Sequence, residues 1–321
     1  MRVVFMGSPE FAVPCLRALA GAHEVAFVVS QPDKPAGRGG QLTAPAVKVA
    51  AQELGLPVLQ PRSARTGELE QALRESGAEL AVVVAYGKIL PRAVLDALPR
   101  GCINVHASLL PKYRGAAPVQ WAVIDGERET GVCIMQLDEG MDTGPVYLEE
   151  RVDIDPEETS GELLARLAPI GAKALLDAIA AIAEGRAHAT PQDHARATYA
   201  RMLTKADGAI DFALPAADVA ARIRGVDPWP GAQAVLRGQP IKLFRARAAN
   251  DASSQPRAEL SPPGTVLAID PDGMHVAASD GIVIIRDVQA AGRKRMAAHQ
   301  FAAGRGLAIG DVLERPMLEP A

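Results

Sequence analysis

The sequence is poor in cysteine and in aromatic residues, and it has no long uninterrupted hydrophobic run. Its three cysteines, Cys15, Cys102 and Cys133, lie far apart and lack CxxC or CxxH spacing, so neither a disulfide framework nor a metal site is expected. No segment approaches the roughly 18 consecutive apolar residues that a membrane helix needs. The opening apolar run ends at residues 7–9, which leaves no room for the apolar part of a signal peptide. We therefore expect a cytoplasmic protein without a membrane partner.

Charge alone does not identify a partner. The composition, 48% hydrophobic and 22% charged, is typical of a globular protein, and the formal net charge is −4. Residues 1–200 carry a net charge of −6 and residues 201–321 a net charge of +2. This asymmetry is compatible with a basic, partner-binding module in the second part of the chain. At about 150 residues per domain, the length predicts two domains.

The first part of the chain alternates apolar strands with helical patterns. Strands are predicted at residues 3–6, 25–29, 58–59, 80–85 and 102–106, and helices at residues 44–54 and 69–75. A strand pair at residues 131–137 and 146–151 and a long helix at residues 161–185 complete the pattern. This order predicts an α/β fold, a Rossmann-like parallel sheet with helices on both faces. In such sheets ligands bind at the carboxyl ends of the strands.

The second part of the chain has a different sequence pattern. Residues 191–205 are polar and have no sustained period, which predicts a linker. Short strands separated by tight turns follow at residues 234–237, 241–245, 265–269, 274–278 and 282–288. They predict a small OB-like β-barrel. The predicted domains are therefore 1–190 and 206–321, joined by the linker.

Two polar side chains lie at the end of a predicted strand. Asn104 and His106 are one pleat apart, so they face the same side of the sheet. An amide beside an imidazole suits acyl transfer, because both can donate to a developing oxyanion and the histidine can also carry a proton. Taken alone, the pair fits better with a histidine that is simply hydrogen-bonded at a strand end.

A third candidate is Asp142, which lies in the sequence GMDTG. The flanking Gly140 and Gly144 permit tight backbone turns. A carboxylate held there could orient a water molecule or act on a neighbouring histidine. The alternative is an Asx-turn or a helix cap.

Together these motifs resemble the folate-dependent formyltransferases. The sequence Asn104-x-His106-x-Ser108-Leu109-Leu110-Pro111, followed by Asp142 within GMDTG, matches that family. Further matches, in the same order along the chain, are VVFMGSPEF, QPDKPAGRG, YRGAAP, ATYA, PWP and AGRKRM. The resemblance thus extends over both predicted domains, and it implies a catalytic domain at 1–190 and a tRNA-binding domain at 206–321.

The resemblance implies transfer of a formyl group from 10-formyltetrahydrofolate to the free amino group of methionyl initiator tRNA, for translation initiation. By family analogy, Asn104 and a protonated His106 hydrogen-bond the negative oxygen of the tetrahedral centre. Asp142 would keep His106 protonated and position a water that relays a proton from the attacking amine to the leaving nitrogen. No metal is implied.

The resemblance also implies binding residues. Ser108, Leu109, Leu110 and Pro111 would form the folate-binding turn, and Tyr86 and Ile89 would line the pterin pocket. Leu109 and Leu110 could instead be ordinary core residues. For tRNA, the implied contacts are Lys34, Arg38, Lys242, Arg293, Lys294 and Arg295. Without the resemblance, these cations equally fit solvated loops and surfaces.

Two alternatives remain open. One is a formyltransferase that acts on an amino-sugar nucleotide, since such enzymes can share the Asn, His and Asp residues and a similar barrel. The other is a non-catalytic tRNA-binding protein on the same scaffold, against which the presence of Asn104, His106 and Asp142 argues. We expect a monomer.

Overall fold

The computed structural model describes residues 1–36, 41–249 and 261–317. By its internal contacts the chain forms two compact units. The first unit comprises Met1–Pro118, Thr130–Val152 and Leu164–Ala200, and the second comprises Val119–Glu129, Asp153–Leu163 and Arg201–Ala321. The domain boundaries at residues 190 and 205 stay a prediction.

The strands and helices predicted from the sequence are all present. The strands are β1 (Arg2–Gly7), β2 (Glu24–Val29), β3 (Lys34–Ala36), β4 (Gln41–Thr43), β5 (Val58–Leu59), β6 (Leu80–Val84), β7 (Cys102–His106), β8 (Arg114–Gly115), β9 (Glu129–Gln136), β10 (Val146–Asp153), β11 (Tyr199–Ala200), β12 (Ala232–Leu236), β13 (Gln239–Ala248), β14 (Val266–Asp270), β15 (Gly273–Ala277), β16 (Ile282–Ala290), β17 (Met296–Ala297) and β18 (Leu313–Glu314). The α-helices are α1 (Val13–Ala22), α2 (Ala46–Glu53), α3 (Glu68–Glu75), α4 (Arg92–Leu95), α5 (Pro118–Ile124), α6 (Ser160–Ala183), α7 (Ala216–Gly225) and α8 (Ala298–Ala303). In the described ranges, no helix combines the length and the apolarity that crossing a membrane would require.

The first unit is built on a seven-stranded sheet in the order β10-β9-β7-β6-β1-β2-β5. Strands β7, β6, β1, β2 and β5 run parallel, whereas β9 pairs with β7 in the antiparallel direction. The central strands β1, β6 and β7 are buried almost throughout, as expected where helices cover both faces, and the edge strand β10 alternates between exposed and partly buried residues. The predicted α/β fold is confirmed, with an antiparallel addition at one edge.

The sheet brings the ends of β6 and β7 side by side. These strands are parallel neighbours, with Val83 paired to Asn104, so the loops that follow them start at the same edge. Behind β7 lies α6, which approaches closely at Gly171: a Cβ atom there would lie 3.1 Å from Cγ1 of Val105. A rigid, covered strand therefore supports the two polar residues at its end.

The second unit contains an antiparallel sheet in the order β14-β15-β16-β13-β12-β18. Its two ends meet, because the Leu313 amide donates to the Gly264 carbonyl and the Val266 amide donates to the Asp311 carbonyl, both at 2.8 Å. Burial alternates along β12, as expected for strands with one face on a core. The prediction of a small OB-like β-barrel is confirmed, and the antiparallel sheet that forms it is curled.

A buried carboxylate organises the start of the second unit's main segment. Asp207, whose side chain is 7% exposed, accepts hydrogen bonds from Arg201 at 2.8 and 2.5 Å and from the Thr204 amide at 2.7 Å. Mainly because of the Arg201 hydrogen bonds, the pKa of Asp207 falls from 3.8 to about 2. The guanidinium of Arg201 also stacks on Trp121 of α5, 4.9 Å from the ring centroid. Asp207 thus fixes an arginine that packs against a helix.

We expect Asp207→Asn to lower the free energy of unfolding by about 2 kcal/mol at pH 7. Because the folded-state pKa is depressed, the ionised carboxylate stabilises the fold above pH 4, and this contribution disappears as the pH falls toward 2. Urea unfolding at pH 7, 4 and 3 measures the effect. A difference between variant and wild type that does not shrink with falling pH would contradict this assignment.

Candidate active site

The site is centred on the carboxyl end of β7. Asn104 and His106 are 9% and 5% exposed, and they share one face of the strand. Within the described parts of the chain, the side-chain amide of Asn104 makes no hydrogen bond. Its N–H and C=O groups are therefore available to a bound reactant.

His106 is held through one ring nitrogen. Its Nε2 lies 3.0 Å from the carbonyl oxygen of Tyr113, which can only accept, so Nε2 carries a proton. The other nitrogen, Nδ1, lies 3.7 Å from Oδ2 of Asp142. This distance is too long for a direct hydrogen bond and leaves Nδ1 as the nitrogen that can gain or lose a proton.

The turn between β9 and β10 directs Asp142 toward the histidine. Asp142 has a φ of 54°, and its Oδ2 accepts a hydrogen bond from the Gly115 amide at 2.8 Å. A different residue, Asp138, makes the local turn contacts, since its Oδ1 accepts from the Gly140 amide at 3.1 Å and from Thr143 Oγ1 at 2.6 Å. The Asx-turn considered for Asp142 is thus formed by Asp138, and the Asp142 carboxylate points to Gly115 and His106.

The same turn tolerates no side chain at Gly144. A Cβ atom there would lie 2.0 Å from the carbonyl oxygen of Gln136. Because the obstacle is backbone, it has little freedom to move away. Glycine is therefore required at residue 144 for steric reasons.

The residues of the predicted folate-binding turn lie in the loop after β7. Ser108 is fully buried and donates to the Lys112 carbonyl at 2.7 Å. Leu110 packs with Cys133 and Met135, and a Cβ on Gly131 would lie 2.5 Å from Cδ2 of Leu109. Both leucines therefore have packing roles in the protein, and Pro111 is partly buried beside them. Their contact with a folate stays a prediction.

In the segment after β6 the side chain of Ile89 is exposed, whereas the ring of Tyr86 is buried. Ile89 is 71% exposed, whereas Tyr86 is 1% exposed in the hydrophobic core, where burial raises its pKa to about 12. The backbone of this turn is held by Gln31, whose Nε2 donates to the carbonyls of Tyr86 at 3.0 Å and Gly87 at 3.2 Å. What this segment can offer a ligand is an apolar side chain and a fixed main chain.

The predicted tRNA contacts fall into different environments. Lys34 in β3, Lys242 in β13, and Arg293 and Lys294 after β16 are exposed, and Arg38 lies outside the described residues. Arg295 is engaged within the protein: its guanidinium stacks on Phe244 at 4.3 Å and bonds Asp287 at 2.9 Å. The described ranges contain no group of three or more His, Cys, Asp or Glu residues arranged to hold a metal ion.

Sequence reasoning missed four residues around the site. Gly115 binds the Asp142 carboxylate, Gln31 holds the turn after β6, Gln192 binds the main chain of the Asp142 turn, and Arg114 binds Gln192. Gln31, Arg114 and Gly115 belong to motifs noted in the sequence. Gln192 carries no such signal, since it lies in the polar stretch predicted to be a linker.

Comparison with known proteins adds family information. A family model described as formyl transferase matches residues 1–179, and one described as formyl transferase, C-terminal domain, matches residues 202–306. The methionyl-tRNA formyltransferase of Desulfotalea psychrophila is 47% identical over 98% of this chain and 96% of its own length. That of Sorangium cellulosum is 46% identical over 98% of this chain and 100% of its own length.

A solved structure has the same fold at low identity. It is the structure of WlaRD, a sugar 3N-formyl transferase, in the presence of dTDP and 5-N-formyl-THF. It matches with a TM-score of 0.67 and 16% identity and covers 92% of this chain and 99% of its own. At this identity the likeness concerns the fold alone.

We expect Asn104→Ala to reduce the turnover of formyl transfer by a factor on the order of 10²–10³, because one donor to the developing oxyanion is lost. Since the amide makes no hydrogen bond within the described chain, the thermal midpoint should stay close to that of the wild type. Steady-state kinetics and thermal unfolding check both parts. Full activity in a folded variant would exclude Asn104 from the reaction.

Proposed function

This chain belongs to the formyl transferase family, and we propose that it transfers the formyl group of 10-formyltetrahydrofolate to the free amino group of methionyl initiator tRNA. The product would be N-formylmethionyl-tRNA for translation initiation in the cytoplasm. The observation that carries the proposal is the His106–Asp142 pair, 3.7 Å apart, with Asn104 on the same face of β7 as His106. Nearly full-length similarity to methionyl-tRNA formyltransferases supports this choice of acceptor.

The oxyanion donors come from a rigid strand. When the amine attacks the formyl carbon, negative charge develops on the formyl oxygen, and preorganised donors stabilise it. Asn104 offers an N–H that no other group of the described chain uses. His106 offers Nδ1–H when protonated, since its Nε2–H is bound to Tyr113. Both groups are almost fully buried, so their hydrogen bonds are stronger than they would be in water.

Asp142 handles the proton. The attacking nitrogen must lose a proton and the leaving nitrogen must gain one. Asp142, whose Oδ2 lies 3.7 Å from Nδ1 of His106, would orient a water beside the reacting nitrogens, and that water would take a proton from the attacking nitrogen and give one to the leaving nitrogen. Because Gly115 holds Oδ2 of Asp142 at 2.8 Å, the other carboxylate oxygen can accept from that water. The relay then needs only residues of this site.

The formyl donor fits the edge formed by β6 and β7. Exposed Ile89 follows β6, and partly buried Leu109 and Pro111 follow β7, so apolar side chains occur on both adjacent loops. A folate has a flat ring system, which apolar side chains on two adjacent loops can cover. The donor is folate-derived, in keeping with the family, and we propose 10-formyltetrahydrofolate.

Transfer to charged tRNA tests the function directly. Initiator methionyl-tRNA, elongator methionyl-tRNA and a dTDP-linked amino sugar are each incubated with the enzyme and 10-formyltetrahydrofolate. We expect rapid transfer to the initiator alone. Transfer to the sugar and not to tRNA would overturn the proposed acceptor. Folate binding without transfer to any acceptor would instead leave a non-catalytic protein on this scaffold.

The exposed cations of the second unit offer a separate prediction. Removing Arg293 and Lys294 together should raise the KM for tRNA several-fold, leave kcat unchanged, and weaken the salt dependence of KM, because two phosphate contacts are lost. Arg295→Ala serves as the contrast: it breaks the contacts with Phe244 and Asp287 and should lower stability by about 1 kcal/mol. Kinetics at several salt concentrations and urea unfolding separate the two effects. An unchanged KM for the double variant would remove these cations from the tRNA site.

A further inference from the structure

A segment of the first unit, residues 190–200, lies along the loops that form the site. Thr190 exchanges two backbone hydrogen bonds with Val146, at 2.9 and 2.8 Å, just beyond the Asp142 turn. At its other end, β11 pairs with β8 in parallel, and the Thr198 carbonyl accepts from the Arg114 amide at 2.9 Å. The segment is therefore anchored to both the Asp142 turn and the loop after β7.

Gln192 uses its side chain to join these two loops. Its Nε2 donates to the carbonyl of Asp142 at 2.9 Å and to that of Gly144 at 2.7 Å. Its Oε1 accepts from Nε of Arg114 at 3.2 Å and from Nη2 at 2.7 Å. Both N–H groups and the carbonyl oxygen of the amide are thus used, which is all that a glutamine side chain can offer.

Arg114 determines which way this amide faces. A guanidinium can only donate, so the oxygen of Gln192 must face it and the NH₂ group must face the Asp142 turn. Arg114 is 2% exposed and also bonds Nδ1 of His194 at 2.9 Å, so its position is fixed. The next residue, Gly115, binds the Asp142 carboxylate. Of the two residues of β8, Arg114 thus orients Gln192, which holds the main chain of Asp142. Gly115 holds the side chain of Asp142 directly.

We propose that Gln192, oriented by Arg114, is a positioning residue that keeps the Asp142 carboxylate within reach of His106 during formyl transfer; this rests on the function proposed above. Asp142 has a φ of 54°, a conformation that non-glycine residues keep only where the surroundings enforce it. The two carbonyls that Gln192 binds lie at Asp142 itself and two residues later. Loss of this clamp frees the turn to relax, and displacement of a reactive group by about 1 Å can cost 10²-fold in rate.

The test uses Gln192→Glu, which keeps the size of the side chain and the acceptor for Arg114. It replaces the two N–H donors with a carboxylate oxygen that repels the carbonyls of Asp142 and Gly144. We expect kcat to fall 10- to 100-fold, the KM values for tRNA and folate to stay within twofold, and the thermal midpoint to stay close to that of the wild type. Gln71→Glu is the matched control: within the described ranges the Gln71 side chain bonds Glu75 alone, on the exposed face of α3, so this change should leave kcat unchanged.

A double-mutant cycle distinguishes positioning from a general structural role. If Gln192 acts through Asp142, Gln192→Glu should lower kcat by less than twofold when Asp142 is already replaced by Asn. A general structural defect would lower kcat by the same factor in the wild-type protein and in the Asp142→Asn variant. That result would overturn the proposal, as would a kcat within twofold of wild type for the single variant.

A crystal structure of Gln192→Glu gives a readout that needs no acceptor. We expect a longer separation between Asp142 and His106, and an unchanged separation would overturn the proposal. If the wild-type protein formylates no methionyl-tRNA, the proposed function fails, and this structural comparison alone then decides whether Gln192 holds the turn.

Discussion

The site depends on holding one carboxylate in a left-handed turn next to a buried histidine. Asp142 can approach His106 only because the main chain turns sharply between β9 and β10. A left-handed conformation of a non-glycine residue costs on the order of 1–3 kcal/mol and persists where the surrounding structure enforces it. Asp138 closes the turn locally, Gly115 binds the carboxylate, and Gln192 binds the carbonyls. The Asp142 turn is therefore fixed from three directions.

Two glutamines make the same kind of contact, from a side-chain amide to two main-chain carbonyls, on two sides of the site. Gln31 binds the carbonyls of Tyr86 and Gly87 after β6, and Gln192 binds those of Asp142 and Gly144 after β9. In each case one side-chain amide donates to two nearby carbonyls of an irregular segment. Strand β7 supports Asn104 and His106 rigidly. The two glutamines hold the neighbouring loops in a defined conformation. Preorganisation of this kind is what electrostatic catalysis requires.

Much of the fold could be predicted because its signals are local. The buried strands β1, β6 and β7 are continuous apolar runs. A run of this kind indicates a parallel strand that is covered on both faces, whichever strands pair with it. The alternation along β12 and β13 marks strands with one face on a core. The antiparallel direction of β9 had no such signal, since direction depends on how the chain returns to the sheet. Within the site, Asn104 and His106 could be paired from strand alternation alone.

By itself the sequence determined the two-part architecture and the shared face of Asn104 and His106, and the resemblance identified the family. Only the tertiary structure decided which atoms meet. Gly115 and Asp142 are 27 residues apart and Gln192 and Asp142 are 50 residues apart, so no local pattern connects them. Tyr86 follows Ala85, whose φ of 47° ends the strand alternation, and its ring enters the core. Arg295 resembles its neighbours Arg293 and Lys294 in sequence, but Phe244 and Asp287 bind it. Contacts of this kind follow from the packing of distant segments, which local propensity does not encode.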